Sequence, residues 1–220
     1  MLKRYITKAA GAVPQRELAP EQRKSLRKQF NPLAARRLTD LPLLLGDICK
    51  DAEPNLDDEW VFASAFGGAL SLERYLESFP TPSPLHFQNS IQPGPLDLVN
   101  VARGKPARLL MPVVGDTELF ADALFAAMIS PNQVVHTVGG EEYSPWTASH
   151  ELGAEHTFAW YLKLVQSTEA AAGEITFTPN PSAKKSESIP LSESVPELIN
   201  SGRELEFSQA GRGYFRIVWN

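Results

Sequence analysis

Residues 107–124 read ARLLMPVVGDTELFADAL. An apolar run from Leu109 to Val114 meets Gly115 and Asp116 and passes into a stretch of helical character. A strand, a tight turn and a helix in this order form an elbow that many enzymes use to expose a nucleophile. The N-terminus of such a helix stabilises negative charge at the turn. Here the turn offers Val113, Val114 and Gly115, none of which carries a nucleophilic atom. Pro112, inside the run, has no N–H to give a ladder, so this strand is expected at an edge, a bulge or a strand end. Asp116 is the expected helix cap, and Glu118 suits the first turn. Leu119, Phe120, Ala123, Leu124, Ala127 and Met128 form an apolar stripe along a helix over 117–129.

Similar segments extend outward from this elbow. Residues 60–66, 133–138, 157–165 and 173–180 are rich in β-branched and aromatic side chains and read as strands. Residues 204–219 alternate around Gly211 and Gly213 and read as a hairpin. Helical spacing runs through 69–79, 96–103 and 195–202. It also runs through 18–52, with breaks near Pro32 and Pro42. Residues 80–95 hold five prolines and read as a long loop, and 181–194 as a polar one. Strands alternating with helices predict an α/β fold, a mixed sheet with helices on both faces.

The chain has 220 residues, of which 43% are hydrophobic and 21% charged, the composition of a globular protein of one domain. A single cysteine excludes an internal disulfide and a cysteine-based metal cluster. That residue, Cys49, lies on an expected helix with no histidine near it in sequence and reads as a buried, inert thiol. The first residues lack a continuous apolar core, and no run is long enough to span a bilayer, so a cytoplasmic location is expected. The net charge of −5 is unevenly spread: residues 1–37 hold ten Lys/Arg and two Glu. Residues 1–40 are therefore expected to form a basic helical segment lying over an acidic domain of residues 41–220. No aromatics interleave with these charges, and no nucleic-acid partner is expected.

No catalytic constellation emerges from spacing. His150 and His156 stand six residues apart, on different faces of a helix or too far apart along a strand to share an ion. Asp57–Asp58–Glu59 and Glu141–Glu142 read as solvated turns, because adjacent carboxylates diverge along the chain. The sequence GRG near the C-terminus and VVGD at the elbow lack the lysine and hydroxyl of a phosphate-binding loop. No metal or cofactor is expected, and residue spacing alone leaves the activity open.

Five stretches in order nevertheless resemble the N-terminal half of β-ketoacyl synthases, above all their shortened relatives. They are WVFASAFGGALSLERYLESF, SPLHFQNSI, VARGKPARLLMPVVGDTELFADALFAAM, QVVHTVGGEEYSP and the C-terminal PELINSGRELEFSQAGRGYFRIVW. Upstream, NPLAARRLTDLP is similar to the basic helical stretch that precedes this region in condensing enzymes. The resemblance implies a thiolase-like half-fold. It places Val114, within one residue, where the family carries its catalytic cysteine. The length implies that the half bearing the family's two histidines has no counterpart.

The function implied is that of a catalytically inactive, chain-length-factor-like subunit. Such a subunit pairs with an active β-ketoacyl synthase as a heterodimer and helps shape its acyl tunnel in fatty acid or polyketide (polyene) biosynthesis. It meets acyl carrier protein only indirectly. In the family, the strand entering the elbow and the loop before it lie at the dimer contact. Carried over, this implicates Leu109, Leu110, Met111, Pro112 and Val113, together with Phe87, Gln88 and Asn89. Two alternatives stay open. One is an acyl-transferring or hydrolytic enzyme with Ser90 or Thr117 as nucleophile and a histidine base. The other is a homodimeric binding module.

Overall fold

Trp60 and Phe62 pack with one apolar cluster, and Val61 and Ala63 with another. This strict alternation is what a strand buried on both faces produces. The computed structural model describes residues 1–115, 117–167, 171–186 and 192–220. Asp116, the expected cap of the elbow helix, lies outside them.

The chain begins with β1 (Leu2–Gln15), followed by α1 (Pro20–Arg27), α2 (Pro32–Ala35) and α3 (Asp40–Ile48). Next come β2 (Glu59–Ala63), α4 (Ala69–Glu77), α5 (Pro84–Ser90) and α6 (Gly94–Ala102). The elbow strand is β3 (Leu109–Val113), and its helix is α7 (Leu119–Ile129). Then follow β4 (Val134–Glu141), α8 (Pro145–Ser149), β5 (Thr157–Val165) and β6 (Gly173–Pro179). The chain closes with α9 (Val195–Ser201) and the hairpin β7 (Leu205–Gln209) and β8 (Gly213–Trp219). Among the described residues, eight strands form one mixed sheet in the order β3-β2-β4-β5-β1-β6-β8-β7. The strands β3, β2 and β4 run parallel, and the other pairings are antiparallel. The α/β expectation holds, and β3 with its Pro112 lies at the sheet edge as expected.

One face of the sheet carries α7 and α9, whose Phe120, Leu124, Val195 and Ile199 pack on Trp160, Leu162 and Phe177. The other face carries α3 and α6, whose Leu41, Leu45, Leu96 and Val99 pack with Trp60, Phe62 and Tyr161. No helix among the described residues is long and apolar enough to cross a membrane.

Residues 1–40 are not a helical extension. Leu2–Gln15 form β1, an inner strand that pairs with both β5 and β6. The basic side chains at the start of the strand bond to neighbouring elements instead of forming a solvated arm. Arg4 is 2% exposed and donates to the carbonyls of Ser130 and Asn132 at 2.6 and 3.0 Å. Lys3 pairs with Glu174 at 2.8 Å, and Lys8 donates to the carbonyl of Asp51. The helical expectation does hold for α1, α2 and α3.

Past Ile6 the strand loses β6, which pairs only with residues 2–6, and α9 closes over it. Asn200 donates to the Gly11 carbonyl at 3.1 Å. A methyl group at Gly11 would lie 2.6 Å from the Pro196 Cα and carbonyl oxygen, too close for unshifted backbone. Gly11→Ala is expected to lower stability by about 1–3 kcal/mol, the cost of an overpacked contact. Urea unfolding checks this, and an unchanged midpoint would show that α9 is loosely seated.

Candidate functional site

The parallel strands β2, β3 and β4 all end at the same side of the sheet, and the chain reverses its winding direction around β2. Open α/β sheets place ligand sites outside the C-terminal ends of such strands. A cleft of about 570 Å³ lies there, lined by Ala65 and Phe66 after β2, Gly115 after β3 and Glu141 at the end of β4.

Gly115 is the elbow residue that lines this cleft, whereas Val114 is 62% exposed and is not among its walls. A side chain at 115 would first meet Asp122 and Leu119 at 3.4 and 3.5 Å, ordinary contact distances. The elbow position that lines the cleft is thus sterically open and carries no reactive side chain. Glu118, expected in the first turn of α7, is its N-cap residue and pairs with Lys185 at 2.9 Å.

The chemistry that the cleft does contain is a carboxyl group. Glu141 accepts hydrogen bonds from the backbone N–H of Ala65 and, at 3.2 Å, of Phe66. Burial pushes its pKa up to about 7, against these hydrogen bonds, which favour the ionised form. Its neighbour Glu142 points elsewhere and accepts from Leu41 N–H in α3 and Leu70 N–H in α4, at 3.3 and 3.2 Å. One carboxyl group thereby serves the first turns of two helices. Burial raises its pKa as well. The solvated-turn expectation for Glu141–Glu142 is therefore corrected: adjacent residues at a strand end diverge, but here each meets a separate set of backbone donors.

The Asp57–Asp58–Glu59 cluster divides similarly. Asp57 is exposed beside Arg108. Asp58 is buried against His136 Nε2 at 2.9 Å, and His136 Nδ1 meets the Tyr161 hydroxyl at 2.9 Å. Trp60 stacks on the His136 ring at 4.4 Å. Burial lowers the His136 pKa, in spite of Asp58. Sequence spacing gave no sign of this group, since its members are distant in the chain. Cys49 is buried, and burial pushes its thiol up to about 12, consistent with an inert role.

Ser90 donates to the Phe87 carbonyl at 2.8 Å on its own helix. Thr117 accepts from Lys185 at 3.3 Å. Neither hydroxyl has a histidine among its partners in the described residues. His150 stands against Trp146, and His156 pairs with Glu193 at 2.6 Å. Among the described residues no cluster can hold a metal ion.

The expected contact residues fall into two groups. On β3, Leu109, Met111 and Pro112 are exposed, while Leu110 and Val113 pack into the two cores. On α5, Phe87 is 48% exposed and Gln88 is exposed, while Asn89 is buried. Phe87 stacks obliquely on Tyr75 at 5.3 Å, and Tyr75 meets Phe79 edge-on at 5.4 Å. The α4–α5 pair thus presents an aromatic surface with Phe79 54% exposed.

Glu141 fixes a pH signature. Its folded pKa, near 7, exceeds its ordinary 4.5, so the folded state holds the proton more tightly than the unfolded one. Its contribution is complete below pH 4.5 and is lost as pH rises through 7, a change of roughly 3 kcal/mol. His136 has the opposite sign, its contribution being lost as pH falls below 6.5. A Glu141→Gln variant is therefore expected to gain about that amount relative to the parent between pH 4.5 and 8, measured by urea unfolding. A pH-independent difference would show that Glu141 ionises normally.

Neither a protein-family model nor a curated protein matches the sequence. Solved structures do match the fold. A chain of the ketosynthase ApeO in complex with its chain length factor ApeC, from Xenorhabdus doucetiae, superposes with a TM-score of 0.68 at 17% identity. The match covers 99% of this chain and 100% of that one, so the two are alike in extent. The ishigamide ketosynthase/chain length factor gives 0.61 at 10% identity over 81% of this chain and 68% of its own. A β-ketoacyl synthase from Burkholderia phymatum STM815 gives 0.55 at 10% identity, over 83% and 66%. The chain has the thiolase-like fold of the ketosynthases, with an elbow that carries no nucleophile.

Proposed function

We propose that this chain is the non-catalytic, chain-length-factor-like partner of an active β-ketoacyl synthase. It pairs with that subunit in the cytoplasm and helps wall its acyl tunnel during fatty acid or polyketide (polyene) synthesis. The growing chain and its carrier protein are handled by the synthase.

The observation that carries this reading is the contrast between the two edges of the sheet. The β7 edge is charged: Glu206 pairs with Arg216 at 3.0 Å, and Glu204 flanks it at 3.6 Å. Charges on an edge strand discourage pairing with other chains. The β3 edge reads Leu-Leu-Met-Pro-Val, without a charge, and exposes Leu109 by 41% and Met111 by 44%. An uncharged apolar edge left open is a docking edge, and Pro112 limits how far backbone pairing can run along it. The elbow behind this edge is retained without a reactive atom, as an architectural element would be. Similarity to chains from two ketosynthase/chain length factor structures supports the same reading.

An obligate interface buries on the order of 2,000 Å² or more and is apolar at its centre. Met111→Arg is therefore expected to abolish co-purification with the co-expressed synthase while leaving the fold intact, since Met111 faces outward. Phe87→Ala, at a candidate hot spot, is expected to cost about 2 kcal/mol, or roughly thirtyfold in affinity, or to shorten the products. Unchanged complex yield and product length in both variants would contradict the proposal.

A further inference from the structure

Five arginines converge on a second cleft, which shares no lining residue with the cleft at the elbow. It has a volume of about 390 Å³ and is bordered by Arg16 after β1, Arg23 and Arg27 of α1, Arg36 after α2 and Arg74 of α4. No lysine lines it, although Lys24 and Lys28 lie on or beside α1. Arginine presents a planar fork of donors that matches the oxygens of a tetrahedral anion, which an ammonium group does not.

Two of the five are already fixed. Arg23 grips both oxygens of Asp40 at 2.7 Å, and Asp40 also accepts from the Leu18 N–H at 3.0 Å. That carboxylate is used up by its own partners. Arg16 donates to the Tyr143 hydroxyl at 2.5 Å and lies 4.7 Å from the centre of the Tyr143 ring. Its fork is thereby held while further N–H groups stay open. Arg27, Arg36 and Arg74 are exposed, and their side chains have no partner among the described residues. The other acids of the cleft are Glu17, which is exposed, and Glu142, which is buried and turned onto Leu41 and Leu70 N–H. Three solvent-facing guanidiniums without a protein partner among the described residues, beside two anchored ones, make a positive site, an arrangement that an anion of charge −2 would complete.

We propose that this cleft binds the phosphate of a phosphorylated small molecule, through the guanidiniums of Arg27, Arg36 and Arg74. Its volume lies within the range of small-molecule pockets, so an organic portion fits beside the phosphate. The same chemistry is offered by an inorganic diphosphate and by an organic phosphate monoester, and the two are separated by experiment.

The test is calorimetric titration of the full chain, co-purified with a partner where it needs one, at low ionic strength, where charge-driven binding is least screened. The probes are diphosphate, O-phosphoserine and an oligoglutamate peptide. Saturable binding of a phosphate probe is expected, with Arg36→Ala and Arg74→Ala each weakening it at least tenfold. Arg37→Ala removes the same charge one residue away, outside the cleft, and is expected to leave affinity within twofold. Tighter binding of O-phosphoserine assigns an organic ester, and tighter binding of diphosphate the inorganic ion. Three results would overturn the proposal: no saturable phosphate binding, equal loss in Arg37→Ala, or tighter binding of oligoglutamate, which would assign an acidic protein face instead. Thermal melting of each variant separates lost binding from lost folding.

Discussion

Strand β1 joins two groups of strands that would otherwise be separate. On one side lie β3, β2, β4 and β5, and on the other β6, β8 and β7. Residues 2–6 of β1 pair with β6, Tyr5 and Ile6 pair with β5 as well, and the second half of the strand pairs with β5 under the cover of α9. Its position also explains the buried Arg4, which fastens the turn between α7 and β4 through two carbonyls. From the other side of that turn, Glu59 accepts from Ser130 and, at 2.7 Å, from Asn132. Hydrogen bonds to charged groups are worth about 1.5–3 kcal/mol each, so this clamp holds the far end of the elbow helix firmly. The clamp thus ties the entries of β2 and β4 to the end of α7, at the opposite end of these strands from the cleft.

Most strands and helices of the centre were legible because their apolar spacing is regular. The strands β2 to β5 are apolar runs rich in β-branched and aromatic residues, α7 carries a helical apolar stripe, and all of them contribute to the cores. The N-terminal strand was not legible. Its Lys3, Arg4 and Lys8 suggest solvent, and its central Ala-Ala-Gly-Ala lacks the bulk that marks a strand. Gly11 at least is required by the closeness of α9, a long-range contact that no local pattern reports. Two short helices were missed for a different reason. Both α5 and α8 begin with Ser-Pro, and in each the serine accepts from a backbone N–H three residues on, Ser83 from His86 and Ser144 from Thr147. Serine as cap with proline at the first helical position is a start signal that proline counting alone conceals.

The site was only partly legible for a related reason. The absence of a nucleophile at Val113, Val114 and Gly115 is a property of the sequence, and the structure adds that Gly115 is the one turned to the cleft. Glu141 and Glu142 looked like a polar turn because burial depends on neighbours from α3, α4 and the end of β2, all distant in sequence. The arginine cleft is of the same kind: Arg74 joins the basic residues of the N-terminal region only through the fold.

On the proposed reading, an elbow without a reactive atom and a sheet with one charged and one bare edge serve association with a partner. The most direct measurement is hydrogen–deuterium exchange of the backbone amides, free and in complex with the co-expressed synthase. Open edge amides exchange quickly unless another chain covers them. The account predicts that peptides spanning residues 109–113 become strongly protected in the complex, with the β7 edge at 205–209 unchanged. Protection absent from 109–113, or confined to 205–209, would contradict it.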